Sequence, residues 1–319
     1  MSEYINLNRI EFVVTQACSG RCKHCSIGEL SDIGVNIDAD AAVNAIKQLS
    51  KKFKIESLLT FGGEPLLFAE TVCKIQAAAR DSGIPFRQII TNGFFSKDEK
   101  KIAEVARNLF ECGVNNVLLS VDVFHQEFIP VSFVEKFAEA LLSYEFSTFV
   151  VHPAWVVNEQ TENIYNRETK RLLKIFNDKD IPSSKGNNIF PSGNAAKYLA
   201  EFYPPPSAAD LSVPCGTAPH TSRLDAINCI SINPTGTVMA CAAEIGNIYN
   251  NDILEIIERY DPYETPALRA VLCGGADELF RHAKEQGVKV DIIECRSACD
   301  VCHKVMDALK QKNSKQREQ

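Results

Sequence analysis

Ile10-Glu11-Phe12-Val13-Val14-Thr15-Gln16-Ala17-Cys18-Ser19-Gly20-Arg21-Cys22-Lys23-His24-Cys25 is the stretch on which the reading of this chain turns. A largely apolar run leads straight into a loop whose cysteines are spaced by four and by three. Three thiolates on one loop can point at a common centre and hold three irons of a 4Fe–4S cluster, leaving the fourth iron open to a small molecule. Zinc favours paired C-x2-C units that close a tetrahedral site, and a group of three with no fourth partner nearby fits it poorly. The spacing therefore favours iron–sulfur.

Outward from that loop, apolar and β-branched runs recur at residues 10–15, 57–61, 88–91, 116–121 and 148–152. Stretches with helical spacing of apolar residues lie between and after them, at 38–53, 69–82, 97–112, 130–144 and 162–178. Asp38 and Ser96 stand where helix starts are expected. This alternation predicts an α/β fold: a parallel sheet closed or partly closed into a barrel, with chemistry at the C-terminal ends of the strands. Polar and glycine-rich clusters fall at those ends. Phe61-Gly62-Gly63-Glu64-Pro65 follows the second run, Thr91-Asn92-Gly93 ends the third, and Ser120-Val121-Asp122 ends the fourth. Asn188-Ile189-Phe190-Pro191-Ser192-Gly193-Asn194-Ala195 lies near an expected sixth strand. Taken singly, these are a turn, a helix cap and a loop.

The rest of the composition narrows the setting. Of 319 residues 45% are hydrophobic and 24% charged, which suits one large domain or a large and a small one. The net charge of −7, with no long basic stripe before the tail, argues against a nucleic-acid partner. No apolar run reaches the ~18 residues of a membrane span, and residues 1–8 lack the order of a signal peptide. A cytoplasmic protein is expected, whose twelve cysteines are metal ligands more than disulfides. Cys73 and Cys112 stand alone in helical patterns, where a buried free thiol is the default, and Cys273 beside Gly274-Gly275 is ambiguous. The polar tail from residue 310 reads as a solvated helix end.

Together, the C-x3-C-x2-C loop after a first strand, the Gly-Gly-Glu-Pro after a second, the Ser-x-Asp after a fourth and the late glycine-containing turn resemble the radical S-adenosylmethionine (SAM) superfamily over about residues 8–195. The resemblance implies a partial (β/α)6 TIM-like barrel in which Cys18, Cys22 and Cys25 hold a 4Fe–4S cluster whose open iron takes the methionine part of SAM. His24 replaces the aromatic residue usual near adenine. Gly62, Gly63, Glu64 and Pro65 would serve the methionine amino group, with Glu64 accepting from it. Asn92, Ser120 and Asp122 would serve the cofactor, the last two at the ribose, with Phe190 and Gly193 at the adenine. An electron from the cluster would release a 5′-deoxyadenosyl radical that takes hydrogen from a substrate carbon. The electron donor would be a flavodoxin or ferredoxin.

Beyond the proline run at 203–207, read as the boundary of domains 1–204 and 205–319, the texture changes. Two β-rich runs joined by Asn233-Pro234-Thr235-Gly236 predict a hairpin, and Cys295, Cys299 and Cys302 lead into a final helix. Hairpin, Gly-x4-Cys and late Cys-x2-Cys resemble the twitch and SPASM auxiliary-cluster domains of the same superfamily. That implies one auxiliary 4Fe–4S cluster on Cys229, Cys241, Cys299 and Cys302, with Cys215 and Cys295 in reserve. Four thiolates also suit structural zinc. Cys215 is alternatively a hydrogen donor to a substrate radical, and His303 is expected to be solvated or to support a ligand.

The substrate is a peptide or a small molecule, and a peptide-modifying maturase fits the auxiliary-cluster resemblance. With the cysteine loop so near Met1, a winged-helix peptide-recognition domain is not expected ahead of it. His125 and Glu127 are candidates for substrate contact or proton relay, and Trp155 for covering the cavity or for packing. Two rival classes are a glycyl-radical activating enzyme and a non-catalytic iron–sulfur or zinc electron carrier.

Overall fold

The computed structural model describes residues 2–28, 34–204, 210–213, 215–216 and 222–317, with side chains as far as 312. The proline run from 205 onward, residue 214 beside Cys215 and the last two residues of the tail lie outside them. In order come β1 (Ile5–Val13), α1 (Ala39–Lys52), β2 (Ser57–Phe61), a one-turn 3-10 helix (Pro65–Phe68), α2 (Ala69–Asp81), β3 (Phe86–Thr91), α3 (Glu99–Glu111) and β4 (Asn116–Ser120). Then follow α4 (Val123–Gln126), α5 (Val131–Leu141), β5 (Thr148–His152), β6 (Ala154–Trp155), α6 (Ile164–Asn177), β7 (Asn187–Asn188) and α7 (Gly193–Tyr198).

The chain divides into two compact units, one of Asn8–Phe202 with Ile232–Gly236, the other of Met1–Leu7, Tyr203–Ser231 and Thr237–Gln319. In the larger unit β1 to β5 lie in sequence order, every neighbouring pair parallel, as repeated strand–helix units require. The middle of β2, Leu58 to Thr60, is buried, as expected of a parallel strand covered on both faces. Helix α1 shows why the outer elements form. Asp38 accepts the Ala41 N–H at 2.8 Å, and Ala42, Ala45, Ile46 and Leu49 recur at helical spacing on the buried face. Burial of Ile46 and Leu49 contributes roughly 1.5–3 kcal/mol each, and the cap about 1. Helix α3 is capped by Asp98 and not by Ser96, whose hydroxyl accepts the Asp98 N–H at 3.0 Å.

The sixth strand is the main departure from the expected barrel. It survives as β7, two residues paired with β6 in a small sheet of their own. Just before it, residues 182–184 run beside β5, with Val151 N–H donating to Pro182 O at 3.0 Å and Ser184 N–H to Val151 O at 2.9 Å. Pro182, Gly186, Pro191 and Gly193 leave this segment too few side chains and donors for a continuous ladder.

In the smaller unit β8 (Ile227–Ile232), β9 (Thr237–Ala240) and β10 (Ala243–Asn247) form a three-stranded meander. Gly236 closes the expected turn with its N–H on Asn233 O at 2.8 Å and φ of +77°, a conformation that favours glycine. The third strand was not expected. Its Ala-Glu-Ile-Gly-Asn sequence has weak β pattern, and its register shifts between Glu244 and Gly246. Helices α8 (Ile253–Glu258), α9 (Pro266–Glu285, interrupted at Gly274 and Gly275) and α10 (Ala298–Arg317) complete the unit, α9 packing on α10. The N-terminus is fastened here: Ser2 Oγ donates to Tyr260 O, and Tyr260 Oη to Leu224 O, both at 2.6 Å. Among the described residues no helix is long and apolar enough to cross a membrane.

Candidate functional site

The cysteine loop is held in shape by backbone from other strand ends. Gly63 N–H donates to Thr15 O and Glu64 N–H to Ala17 O, each at 2.8 Å, so the loop after β2 lies flat on the root of the loop after β1. An added Cβ at Gly63 would come 2.1 Å from Ala17 O, and one at Gly62 2.4 Å from Thr15 O. That contact is the physical reason for the two glycines. On the far side, Asn194 donates its backbone N–H to Cys25 O at 2.9 Å and its amide to Cys22 O at 3.1 Å. Gly193, at φ of +54°, lies so near that a Cβ would meet Ser26 O at 2.4 Å. Lys23 pairs with Glu127 at 2.8 Å, which tethers the loop to the turn after β4.

The three thiols act on one another. Burial pushes Cys18 up to about 11, partly offset by the Gly20 N–H at 3.4 Å, with the charges of Glu64 and Cys25 adding to it. Asn92 donates its amide to the same sulfur at 3.6 Å. Cys22 is raised further, by burial first and then by Asp122, Cys18 and Cys25. Three soft donors on one loop, with Cys18 and Cys22 held protonated by burial until a cation compensates, fit an iron–sulfur cluster. The Cys22 sulfur and a ring nitrogen of each of His24 and His125 lie within 4.8 Å of one another, placing both imidazoles at the flank of the trio.

Beside the loop opens a cavity of about 390 Å³, lined from the C-terminal ends of β2 to β5 and from β7. Cys18, Cys22, Cys25, His24, Gly62, Gly63, Asn92, Ser120, Asp122 and Phe190, all singled out in the sequence, line it. Of the other residues singled out, Glu64, Pro65 and Gly193 do not line it, and Asp122 lines it with no free part to play. Glu64 is fully buried and does not reach the cavity: its carboxylate accepts from Thr91 Oγ1 at 2.7 Å, Leu66 N–H at 2.9 Å and Asn92 N–H at 2.7 Å. Burial pushes its carboxyl up to about 7 against those donors. Its role is to fix Asn92, and Pro65 merely starts the turn that follows. Gly193 braces the loop. Asp122 reaches the cavity but is saturated, accepting from the backbone of Phe124, His125 and Ala154 and pairing with His125 Nδ1 at 2.9 Å. Against the burial that would raise it, the charge and the hydrogen bonds of His125 hold its carboxyl well below the usual range. Ser120 is therefore the better ribose candidate.

His152, at the last position of β5, was passed over in the sequence although the strand-end rule points to it. Half of the chain's six histidines line this one cavity. The His152 Nδ1 lies 2.8 Å from Ser184 Oγ, while its Nε2 and the Nδ1 of His24 are buried with no hydrogen-bond partner among the described residues. His24, between Phe124 and His125 at ring separations of 5.0 and 4.8 Å, is pushed down to about 4 by burial and stays neutral. Orphaned imidazole nitrogens in a cavity suit a polar ligand. Trp155 packs in the core, its Nε1–H on Lys185 O at 2.8 Å, and does not cover the cavity.

In the smaller unit a different four thiols gather. Cys302 is raised by burial and then by the charges of Cys241, Cys215 and Cys299; Cys299 feels Cys215, and Cys241 feels Cys299 and Cys215. Cys229 lies on β8 with its sulfur 3.9 Å from Ile230 O, and Cys295, pushed up to about 11 by burial, feels Asp300. Cys215, expected as a reserve, joins Cys241, Cys299 and Cys302. Cys241 takes a left-handed φ of +52°, rare for a residue with a side chain.

Comparison with known proteins agrees with this picture. A curated protein of Methanocaldococcus jannaschii named "Putative glycyl-radical enzyme activating enzyme" is 27% identical over 95 residues, which span 30% of this chain and only 36% of that protein. Among solved structures, anSMEcpe with bound AdoMet superposes with a TM-score of 0.51 at 16% identity, covering 87% of this chain and 97% of that one. SuiB of Streptococcus suis bound to S-adenosylmethionine gives 0.51 at 13% identity over 83% and 68% of the two chains. These likenesses show the fold. The pattern of the Radical SAM superfamily matches residues 12–193, and the chain belongs to that superfamily.

Proposed function

We propose that this radical SAM enzyme acts on a peptide or small molecule, most consistently as a peptide-modifying maturase, and that it carries a second metal centre. The observation that carries the reading is the braced trio of thiols at the edge of a cavity with orphaned imidazole nitrogens. When bound, the 4Fe–4S cluster and SAM supply a 5′-deoxyadenosyl radical that removes hydrogen from the substrate. Cys18, Cys22 and Cys25 hold the cluster. The backbone of Gly62 and Gly63, Asn92, Ser120 and Phe190 meet SAM, and His24 borders the adenine side. Glu64 and Asp122 act behind them, fixing Asn92 and His125. In the smaller unit Cys215, Cys241, Cys299 and Cys302 hold an auxiliary 4Fe–4S cluster of the twitch or SPASM kind. As a ligand, Cys215 is no longer available as a hydrogen donor. The setting is cytoplasmic, with flavodoxin or ferredoxin as reductant.

A second reading, a glycyl-radical activating enzyme, is favoured by the name of the archaeal relative. Dithionite-reduced protein given SAM should release 5′-deoxyadenosine, and the Cys18→Ala/Cys22→Ala/Cys25→Ala variant should release none. Activity surviving in that variant would refute the site. A stable glycyl radical appearing on a large partner protein, seen by electron paramagnetic resonance, would select the second reading.

A further inference from the structure

Asn92, at the turn after β3, sends its side-chain amide to a sulfur of the cysteine trio. Its Nδ2 donates to Cys18 Sγ at 3.6 Å and to Ser19 Oγ at 3.1 Å. The direction of that amide is fixed. Its Oδ1 accepts the Phe94 N–H at 2.9 Å, so exchanging oxygen and nitrogen would set two donors against each other. The backbone is clamped as well. Glu64 accepts from the Asn92 N–H and from Thr91 Oγ1, each at 2.7 Å, and Thr91 Oγ1 in turn accepts the Gly93 N–H at 3.0 Å. Asn92 is 4% exposed and Glu64 is fully buried, so this line from carboxylate through amide to sulfur runs away from water. Cys18 Sγ also accepts the Gly20 N–H at 3.4 Å, a bond made within the loop itself.

Hydrogen bonds to the sulfurs are among the terms that set the potential of an iron–sulfur centre. A fixed N–H dipole aimed at a ligand sulfur favours the state with more negative charge on the thiolates, which is the reduced one. Such a bond counts for more in a dry site of low dielectric than at a surface. On the reading that Cys18, Cys22 and Cys25 hold a 4Fe–4S cluster, we propose that Asn92 raises the reduction potential of that centre, acting through Cys18. It is a positioning residue for the electron that starts the reaction, in addition to lining the cavity. The Gly20 donor belongs to the loop and moves with it, whereas the Asn92 donor ties the potential to the ends of β2 and β3. Glu64, which does not reach the cavity, acts on the same property by holding Asn92 in place.

The test is an anaerobic redox titration of the full chain, loaded with its clusters and free of SAM, followed by electron paramagnetic resonance. The signal of the trio is the one missing from the Cys18→Ala/Cys22→Ala/Cys25→Ala variant. Asn92→Leu keeps the volume and removes the donor. Asn92→Asp keeps an acceptor for the Phe94 N–H but turns a second oxygen toward Cys18. At iron content equal to the parent's, Asn92→Leu should lower the reduced-to-oxidised ratio at a fixed potential by roughly tenfold, a shift of about 59 mV for one electron. Asn92→Asp should lower it further. A midpoint unmoved in Asn92→Leu, or moved there and restored in Asn92→Asp, would make Asn92 a prop for its turn and overturn the proposal. Loss of the trio's iron from both variants would overturn it in the same way. If the triple variant loses no signal, the cluster assignment falls and the proposal with it; a lost signal with an unmoved midpoint refutes the proposal alone.

Discussion

Cys18, Cys22 and Cys25 come from eight consecutive residues, whereas Cys215, Cys241, Cys299 and Cys302 come from three separate segments of the smaller unit. The first group is shaped before any metal arrives, by Gly63, Asn92 and Asn194 bonding to the loop itself. In the second, one cysteine follows a strand, two begin a helix and one lies in an irregular stretch. A local group needs its loop braced; a dispersed group needs its segments drawn together, and metal binding supplies part of that free energy. Metal should therefore matter to function in the first unit and to folding in the second.

Replacing Cys299 and Cys302 with alanine tests this most severely. About four of about eight irons should be lost, and limited proteolysis should open the smaller unit while the larger stays intact. The Cys18→Ala/Cys22→Ala/Cys25→Ala variant should lose the other four with little change in melting temperature. Equal destabilisation by both variants would erase the contrast, and one cluster plus one zinc in the parent chain would make the second centre structural.

Gly63→Ala should cost more than 3 kcal/mol and weaken cluster retention, because its Cβ meets backbone and nothing flexible can yield. Gly287→Ala in the smaller unit meets no atom within 4 Å and should cost only about 1 kcal/mol, the strain of its φ of +71°. Urea midpoints of the two variants give the comparison directly.

Glu64→Gln should leave iron content unchanged but turns an amide toward the Leu66 or the Asn92 backbone N–H, which only donate, at a cost of about 1–3 kcal/mol in stability. SAM affinity should fall only as far as Asn92 moves. A loss of affinity with no loss of stability would return the carboxylate to direct contact.

The smallest effect is expected on the surface of the smaller unit. Asp225 receives two bonds from Arg223, at 2.8 and 2.9 Å, and the ion pair lowers its carboxyl to about 2. Its contribution is present above the ordinary aspartate value and is lost as pH falls from about 4 to about 2. With Arg223 half-exposed, Asp225→Asn should cost no more than ~1 kcal/mol near pH 7 and nothing at pH 2.

The contrast also explains what could be read in the sequence. Strand ends and the cysteine trio are local, so periodicity and spacing placed the loop, Gly62, Gly63, Asn92 and Ser120 at one end of the sheet, while their part in a SAM site came from the resemblance. Glu64 and Asp122 were legible as residues of the site but not in their direction, because only the fold shows which donors use up a carboxylate. The action of Cys215 on Cys241, Cys299 and Cys302 depends on which segments the smaller unit brings together, and no spacing records that. The third strand of the meander and the shortened sixth strand were lost for a simpler reason: glycine, proline and asparagine carry little periodic signal.

The grip of Asn194 on Cys22 and Cys25 sets an order of events during synthesis. The ribosome makes the three cysteines almost at once, yet the side of their loop that Gly193 and Asn194 close does not exist until most of the larger unit has emerged. Until then the nascent chain offers three reactive thiols without a finished seat. Cluster uptake should therefore depend on chain length: a chain stopped before residue 193 should take up a cluster poorly, and one that includes the whole larger unit should take it up well.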